Sequence, residues 1–190
     1  MSRRINNARP ALMQQGRLFL MNNQDGRLGK FNLRELTAQC GMASGTFYRY
    51  FKSKDDFVIQ IMESDLCDVM DEISGVSLRE IPLYDKVKII YEKVAEFERR
   101  YYLSAMSLLS PSQENMARRR RNEQLVYDLL GAFLKAEIER GELSLSADCD
   151  TAAYLLIQLF VAAARKPDIG FDELWRCMNF TDSTTAGNFP

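Results

Sequence analysis

The residues with the most chemical potential lie together between positions 32 and 57, in the stretch NLRELTAQCGMASGTFYRYFKSKDDF. Arg49, Lys52 and Lys54 supply cations suited to phosphate neutralisation. Ser44, Gly45 and Thr46 are small, so a short helix starting there can bring its backbone close to a nucleic-acid groove. Phe47, Tyr50 and Phe51 stand at i, i+3, i+4 and make an apolar inner stripe, while Ser44, Gly45, Tyr48 and Arg49 make the outer face. Lys54 falls in the first turn of the next helix, where its ammonium and the turn's N–H groups can converge on one phosphate. This is the chemistry of recognising a polyanion rather than of making bonds.

Covalent chemistry has little to work with. The chain holds no histidine, which removes His-based triads, Cys–His dyads and His-containing metal sites. Cys40, Cys67, Cys149 and Cys177 are spaced by 27, 82 and 28 residues, matching no zinc or redox motif. They are expected to be free, mostly buried thiols. The carboxylate pairs Glu137/Glu139 and Asp148/Asp150 read as helix-surface or capping residues. No nucleophile has a base beside it. The expectation is a protein that is not an enzyme and uses no cofactor or metal.

The elements that must position the 32–57 stretch are helices. A first helix is expected over about Ala8–Met21, capped by Asn7 with Pro10 in its first turn, followed by a polar loop to Asn32. A second runs over about Leu33–Cys40, with Asn32 as cap and Gly41 ending it in a left-handed backbone. A third covers about Ser44–Phe51. A fourth starts after Ser53 and continues through Val69, with Asp55 and Asp56 complementing its dipole. Further helices are expected over about Tyr84–Arg100, Tyr102–Leu109, Gln113–Arg140 (Leu125, Leu129, Phe133 and Ile138 turned inward, Gly141 beyond its end), from Asp148 or Asp150 to Arg165, and Phe171–Phe180.

The fold class is therefore all-α: an N-terminal three-helix helix-turn-helix domain joined through a helix to a larger helical-bundle C-terminal domain. The expected boundaries are 1–57, with the motif at about 33–52, and 58–190. Composition agrees. The 190 residues are 46% hydrophobic, enough for a sizeable core. The 25 Lys+Arg nearly balance 26 Asp+Glu, but residues 1–57 hold ten basic against four acidic side chains, and residues 58–190 hold fifteen against twenty-two. A basic N-terminal third sits on an acidic remainder. No apolar run is long enough for a signal sequence or a membrane span, so a cytoplasmic protein with no membrane partner is expected.

The stretch Gly41 to Phe57, G-x-x-x-G-T-F-Y-R-Y-F-x-S-K-D-D-F, resembles the TetR family of bacterial transcriptional regulators, as do Leu18-Phe19 and Leu33-Arg34-Glu35-Leu36. The likeness is specific over residues 9–62. Beyond them only the all-helical plan and approximate length agree. Departures are a longer loop between the first two helices, Gln14-Gln15 where small alanines are common, Thr37 for Ala, and Ala43 for the usual Ser cap, which leaves the cap to Ser44. The resemblance implies DNA contacts at Asn32, Arg34, Ser44, Gly45, Thr46, Tyr48, Arg49, Tyr50 and Lys54. It also implies a homodimeric repressor whose body binds an effector and shifts the reading heads through the fourth helix. Heads reading adjacent turns must lie about 34–36 Å apart.

In the body, the tyrosines and Met106 and Met116 suit an apolar pocket for a neutral or weakly charged organic effector, with Tyr91, Tyr102 and Tyr127 as expected contacts. The homodimer is expected through about Asp150–Arg165 and Phe171–Phe180, using Leu155, Leu156, Leu159, Phe160, Phe171, Leu174, Trp175 and Met178. Arg118–Arg121 point all round a helix and read as its solvated start, with an anionic effector site as the sharper alternative. Alternatives to the repressor are an activator or partner-protein adaptor on the same scaffold, or a helical small-molecule-binding protein with vestigial DNA binding.

Overall fold

The structure, a computed structural model, describes residues 7–22, 32–108, 112–166 and 168–178, of which residues 22 and 102–108 in their backbone only. Among the described residues there are eight helices and no strand: α1 Ala8–Asn22, α2 Leu33–Gln39, α3 Ser44–Phe47, α4 Lys54–Ser77, α5 Leu83–Leu108, α6 Gln113–Glu139, α7 Cys149–Ala164 and α8 Phe171–Met178. The all-α, helix-turn-helix-first architecture is as expected. None of these helices is long and apolar enough to cross a membrane. The chain forms two compact units, one of Met1–Asp65 with Arg100–Asn115, the other of Leu66–Arg99 with Met116–Pro190. Helices α4, α5 and α6 each contribute residues to both.

The first unit is organised around rings. Phe47, Phe51 and Phe57 are buried, with ring centroids 4.7 to 5.2 Å apart. The two pairs made by Phe57 meet edge to face, the geometry an aromatic quadrupole favours. Leu12 and Leu20 of α1, Leu33 and Leu36 of α2, and Ile61 of α4 are buried with them. Each such side chain contributes about 1.5–3 kcal/mol by leaving water. Gly16 lets α1 come unusually near α4. A Cβ there would lie 2.5 Å from Phe57 Cζ and from Ile61 Cδ1.

The second unit has a larger, mostly aliphatic core. It includes Ile73, Val87, Ile90, Leu130, Phe133, Leu134, Leu156, Phe160, Phe171 and Leu174. Its inward stripe on α6 is Val126, Leu130, Phe133, Leu134 and Glu137. Two expected inward residues, Leu125 and Ile138, are exposed instead. At about 100° per residue they stand roughly a third of a turn from the centre of that stripe. Leu129 is half-buried at its edge.

Glu137 also corrects the sequence reading. It is fully buried rather than on the surface, and both its oxygens accept from Lys86 Nζ of α5, at 3.0 and 3.1 Å. A charge in a dry core persists only when paired, which is why a carboxylate can occupy an apolar row here. Asp148, by contrast, caps α7 as expected, accepting from the Thr151 N–H at 2.8 Å.

Helices α2 and α6 both end in a glycine with positive φ, 64° at Gly41 and 79° at Gly141. In each case the glycine N–H and the next N–H bond back to the helix's last carbonyls, closing a Schellman motif. The expected helices over 84–100 and 102–109 are one continuous α5. The expected end of the last helix at Phe180 lies outside the described residues. None of the four cysteines is buried. Cys67 and Cys177 are exposed on the outer sides of α4 and α8, and Cys40 and Cys149 are half-buried, all free thiols.

Candidate nucleic-acid interface

The 32–57 segment is built from local caps upward. Asn32 adopts the extended backbone of an N-cap, and its Oδ1 accepts from the Arg34 N–H at 3.0 Å. This starts α2 with Leu33, Leu36 and Thr37 facing inward and Arg34 outward. The departure at Thr37 has a definite job. Its hydroxyl donates to the Leu33 carbonyl at 2.9 Å, one turn back, and lies 3.4 Å from Ser44 Oγ at the head of α3.

Ser44 does not cap α3. Ala43 takes the extended cap position, with no side-chain oxygen, and only its carbonyl serves, accepting from Thr46 N–H at 2.9 Å. α3 proper is four residues long. The path to Phe51 continues as turns, with Arg49, Tyr50 and Phe51 N–H groups bonding back to Thr46 and Phe47 carbonyls. The expected helix to Phe51 is therefore shorter, yet its two faces survive. Phe47 and Phe51 point into the ring cluster. Gly45, Tyr48 and Arg49 are exposed, Tyr48 by 60%. Ser44, Thr46 and Tyr50 sit half-buried between the faces.

The start of α4 is fixed by a variant of the capping box whose return bond reaches the residue before the cap. Ser53 Oγ accepts from Asp56 N–H at 3.0 Å, and Asp56 Oδ2 reaches back to the Lys52 N–H at 2.9 Å. Lys52 and Lys54 are exposed beside it. Two residues with no motif of their own hold this corner. Gln60 donates to Asp56 Oδ2 at 3.0 Å and accepts from Arg9 Nη2 of α1 at 2.9 Å. The Arg9 guanidinium lies 6.0 Å from the centre of the Phe51 ring. The Ser53–Asp56 box is legible as S-x-x-D, but the Arg9–Gln60 contact joins residues 51 apart and leaves no local signature.

The outcome is a segment that exposes a phenol, a guanidinium and two ammonium groups, at Tyr48, Arg49, Lys52 and Lys54. Such groups make hydrogen bonds to base edges and charge-assisted bonds to phosphates. In the second unit, Tyr91 is buried against the rings of Phe160 and Phe171. Tyr127 is half-buried, ring to ring with Tyr154, and its hydroxyl accepts from Gln158 Nε2 at 3.1 Å. The Tyr102 side chain lies outside the described residues. Of the arginine run, Arg119 pairs with Glu123 one turn on, at 2.8 Å, and Arg120 and Arg121 are exposed.

Residues 28–61 match the family model for bacterial regulatory proteins of the tetR family. Solved structures share the fold over most of the chain. E. coli NemR in its reduced form is 21% identical, with a TM-score of 0.70, over 90% of this chain and 93% of that one. A TetR/AcrR-family transcriptional regulator from Thermobifida fusca is 18% identical, with a TM-score of 0.65, over 90% and 93%. FadR from Bacillus subtilis, solved with stearoyl-CoA, is 16% identical, with a TM-score of 0.64, over 81% and 83%. Among curated protein sequences, none matches the chain significantly. Residues 28–61 thus match the model of the tetR family of bacterial regulatory proteins, in a chain that shares its fold with solved TetR/AcrR regulators.

Proposed function

We propose that this chain is a dimeric transcriptional repressor that reads duplex DNA through residues 32–54 and leaves its operator when a small organic effector binds. The observation that carries the reading is the split of the segment after Gly41: Phe47 and Phe51 are spent on the core while Gly45, Tyr48, Arg49, Lys52 and Lys54 face outward. Residues 1–57 serve as the DNA-binding domain and 58–190 as the effector and dimerisation domain. Asn32, Arg34, Ser44, Thr46 and Tyr50 complete the expected contact set.

The dimer face is revised from the sequence expectation. Phe171 and Leu174 of α8, and Leu156 and Phe160 of α7, pack within their own unit. The apolar side chains available to a second copy are Tyr154, Leu155 and Leu159 of α7, all exposed, and in part the half-buried Trp175 and Met178 of α8. For the effector, that FadR shares this fold and was solved with stearoyl-CoA supports an organic ligand in such a body. Tyr91, Tyr102 and Tyr127 remain its expected contacts.

Selection from randomised DNA with the full chain should return a preferred site. No preference for any site would overturn the reading. Lys54→Ala should weaken binding to all sequences and lower the salt slope by about one. Tyr48→Ala should cost about 1–3 kcal/mol at the preferred site if it contacts a base edge. A monomeric mass at micromolar concentration would remove the dimer. Ligands that raise thermal stability yet leave DNA affinity unchanged would remove the release step.

A further inference from the structure

One buried carboxylate of the first unit has no part in the reading face. Asp65, on α4, is 6% exposed. Its Oδ1 accepts from Arg17 Nε of α1 at 2.5 Å, and Arg17 Nη2 donates to Ser64 Oγ at 2.8 Å. Its Oδ2 accepts from Arg100 Nη1 of α5 at 2.8 Å and from the hydroxyl of the buried Tyr101. Burial alone would raise the Asp65 pKa, but the hydrogen bonds from Tyr101, Arg17 and Arg100 outweigh it and hold the carboxyl below its usual range. The group is therefore an anion at neutral pH, shared by three helices.

Two features make this a coupler rather than only a brace. The Arg17 and Arg100 side chains are 31% and 24% exposed, so water can take over a bond that one arginine gives up while the other donors still hold the buried carboxylate. Its contacts also lead to the reading helix in a few steps. Arg17 follows Gly16, the point where α1 presses on Phe57 and Ile61. Phe57 in turn packs edge to face on Phe47 of α3, next to Tyr48.

We propose that Asp65 is a positioning residue that couples the Arg100–Tyr101 segment of α5 to the reading helix, through Arg17, Gly16 and the ring cluster. The regulatory use rests on the DNA-binding reading above, but the mechanical coupling does not. α5 is one unbroken helix, so its hydrogen-bonded backbone carries Arg100 and Tyr101 together when it shifts. Because the carboxylate is common to α1 and α5, a displacement of one alters the position that best satisfies the other.

The test uses the full chain with Arg100→Gln, Tyr101→Phe and Arg100→Lys, and as a control Arg165→Gln, which breaks an exposed pair with Glu98 in the other unit. Amide exchange is followed in α1, residues 12–20, and DNA affinity is measured at the site the wild type selects. Arg100→Gln and Tyr101→Phe should each speed α1 exchange and weaken DNA binding by about fivefold or more, the low end of coupling between sites. The salt slope should stay unchanged, since neither residue is a phosphate contact. Arg100→Lys should restore much of both, and the control should change neither. In wild type, DNA should slow exchange around residues 100–104, and Arg100→Gln should abolish that response. Unchanged α1 exchange in both variants, or an equal change in the control, overturns the coupling. If the wild type selects no DNA site, the functional reading fails, while the exchange experiment on the free protein still decides the coupling.

Discussion

The two units hold their buried carboxylates in opposite ways. Glu137 in the second unit is 0% exposed and its partner Lys86 5%, a dry pair inside an aliphatic core. Arg140 adds a bond to Glu137 and another from Nη2 to the Ser77 carbonyl, at 2.8 Å, tying in the end of α4. Asp65 in the first unit is nearly as buried, but both of its arginines reach water. Glu137 too has a wetted guanidinium, Arg140 at 40% exposure, so it is the dry inner cation, Lys86, that sets the difference. A cation with no route to water cannot let go without leaving a stranded charge, so Lys86–Glu137 acts as a bolt. A half-wetted guanidinium can exchange partners, so the Asp65 group acts as a clasp.

The largest effect should come from breaking the bolt. Glu137→Ala strands the Lys86 ammonium and is expected to cost about 3–5 kcal/mol, read from urea unfolding. Lys86→Met with Glu137→Leu removes both charges and should cost much less. A double variant as unstable as the single one would break the contrast, because the loss would then be packing rather than stranded charge.

A smaller effect is expected at the contact beside the clasp. Gly16→Ala places a methyl 2.5 Å from the Phe57 ring, and overpacking of this kind costs about 1–3 kcal/mol. Exchange should quicken in α1 and α4 residues up to 65, with the second unit's core protection unaltered. A loss spread evenly over both units would show that they do not respond separately.

The smallest effect is on acid stability. The folded-state pKa of Asp65 is lowered from 3.8, so its contribution is fully present above that value and is lost as pH falls through the folded pKa. Asp65→Asn should flatten the stability-versus-pH curve below pH about 4 and leave its shape near neutrality unchanged. An acid limb identical to wild type would mean that the clasp does not favour the charged carboxyl.

How much of this was legible depended on range along the chain. Asn32, Gly41, Ser53, Gly141 and Asp148 act on backbone groups within a few residues, and all five were readable as caps or stops. The inner and outer faces of the reading helix were readable because Phe47 and Phe51 are one turn apart. The clasp was not, since Asp65 meets partners 48, 35 and 36 residues away. Its contacts also explain the one helix that was wrongly divided. Arg100 and Tyr101 interrupt the apolar period of α5, and look like a break, because the surface they face is a carboxylate rather than a hydrocarbon core. Glu137 misled for the same reason: its cation lies 51 residues away on α5. The residues expected to contact DNA or an effector act on a partner's chemistry, which leaves no mark in the packing of this chain.

Gly45 has a consequence of another kind. A Cβ added there meets nothing within 4 Å. The position stands on the outer side of a one-turn helix whose fold depends on Phe47 and Phe51 beneath it. The side chains that fold this segment and those proposed to read DNA are therefore different ones within the seven positions 45–51. Mutation can explore the outer set, adding a side chain at 45 or exchanging the one at 48, while the ring cluster keeps the scaffold intact. In evolutionary terms, under the proposed DNA-binding role, the preferred sequence is free to drift, or be engineered, at little risk to the protein that carries it.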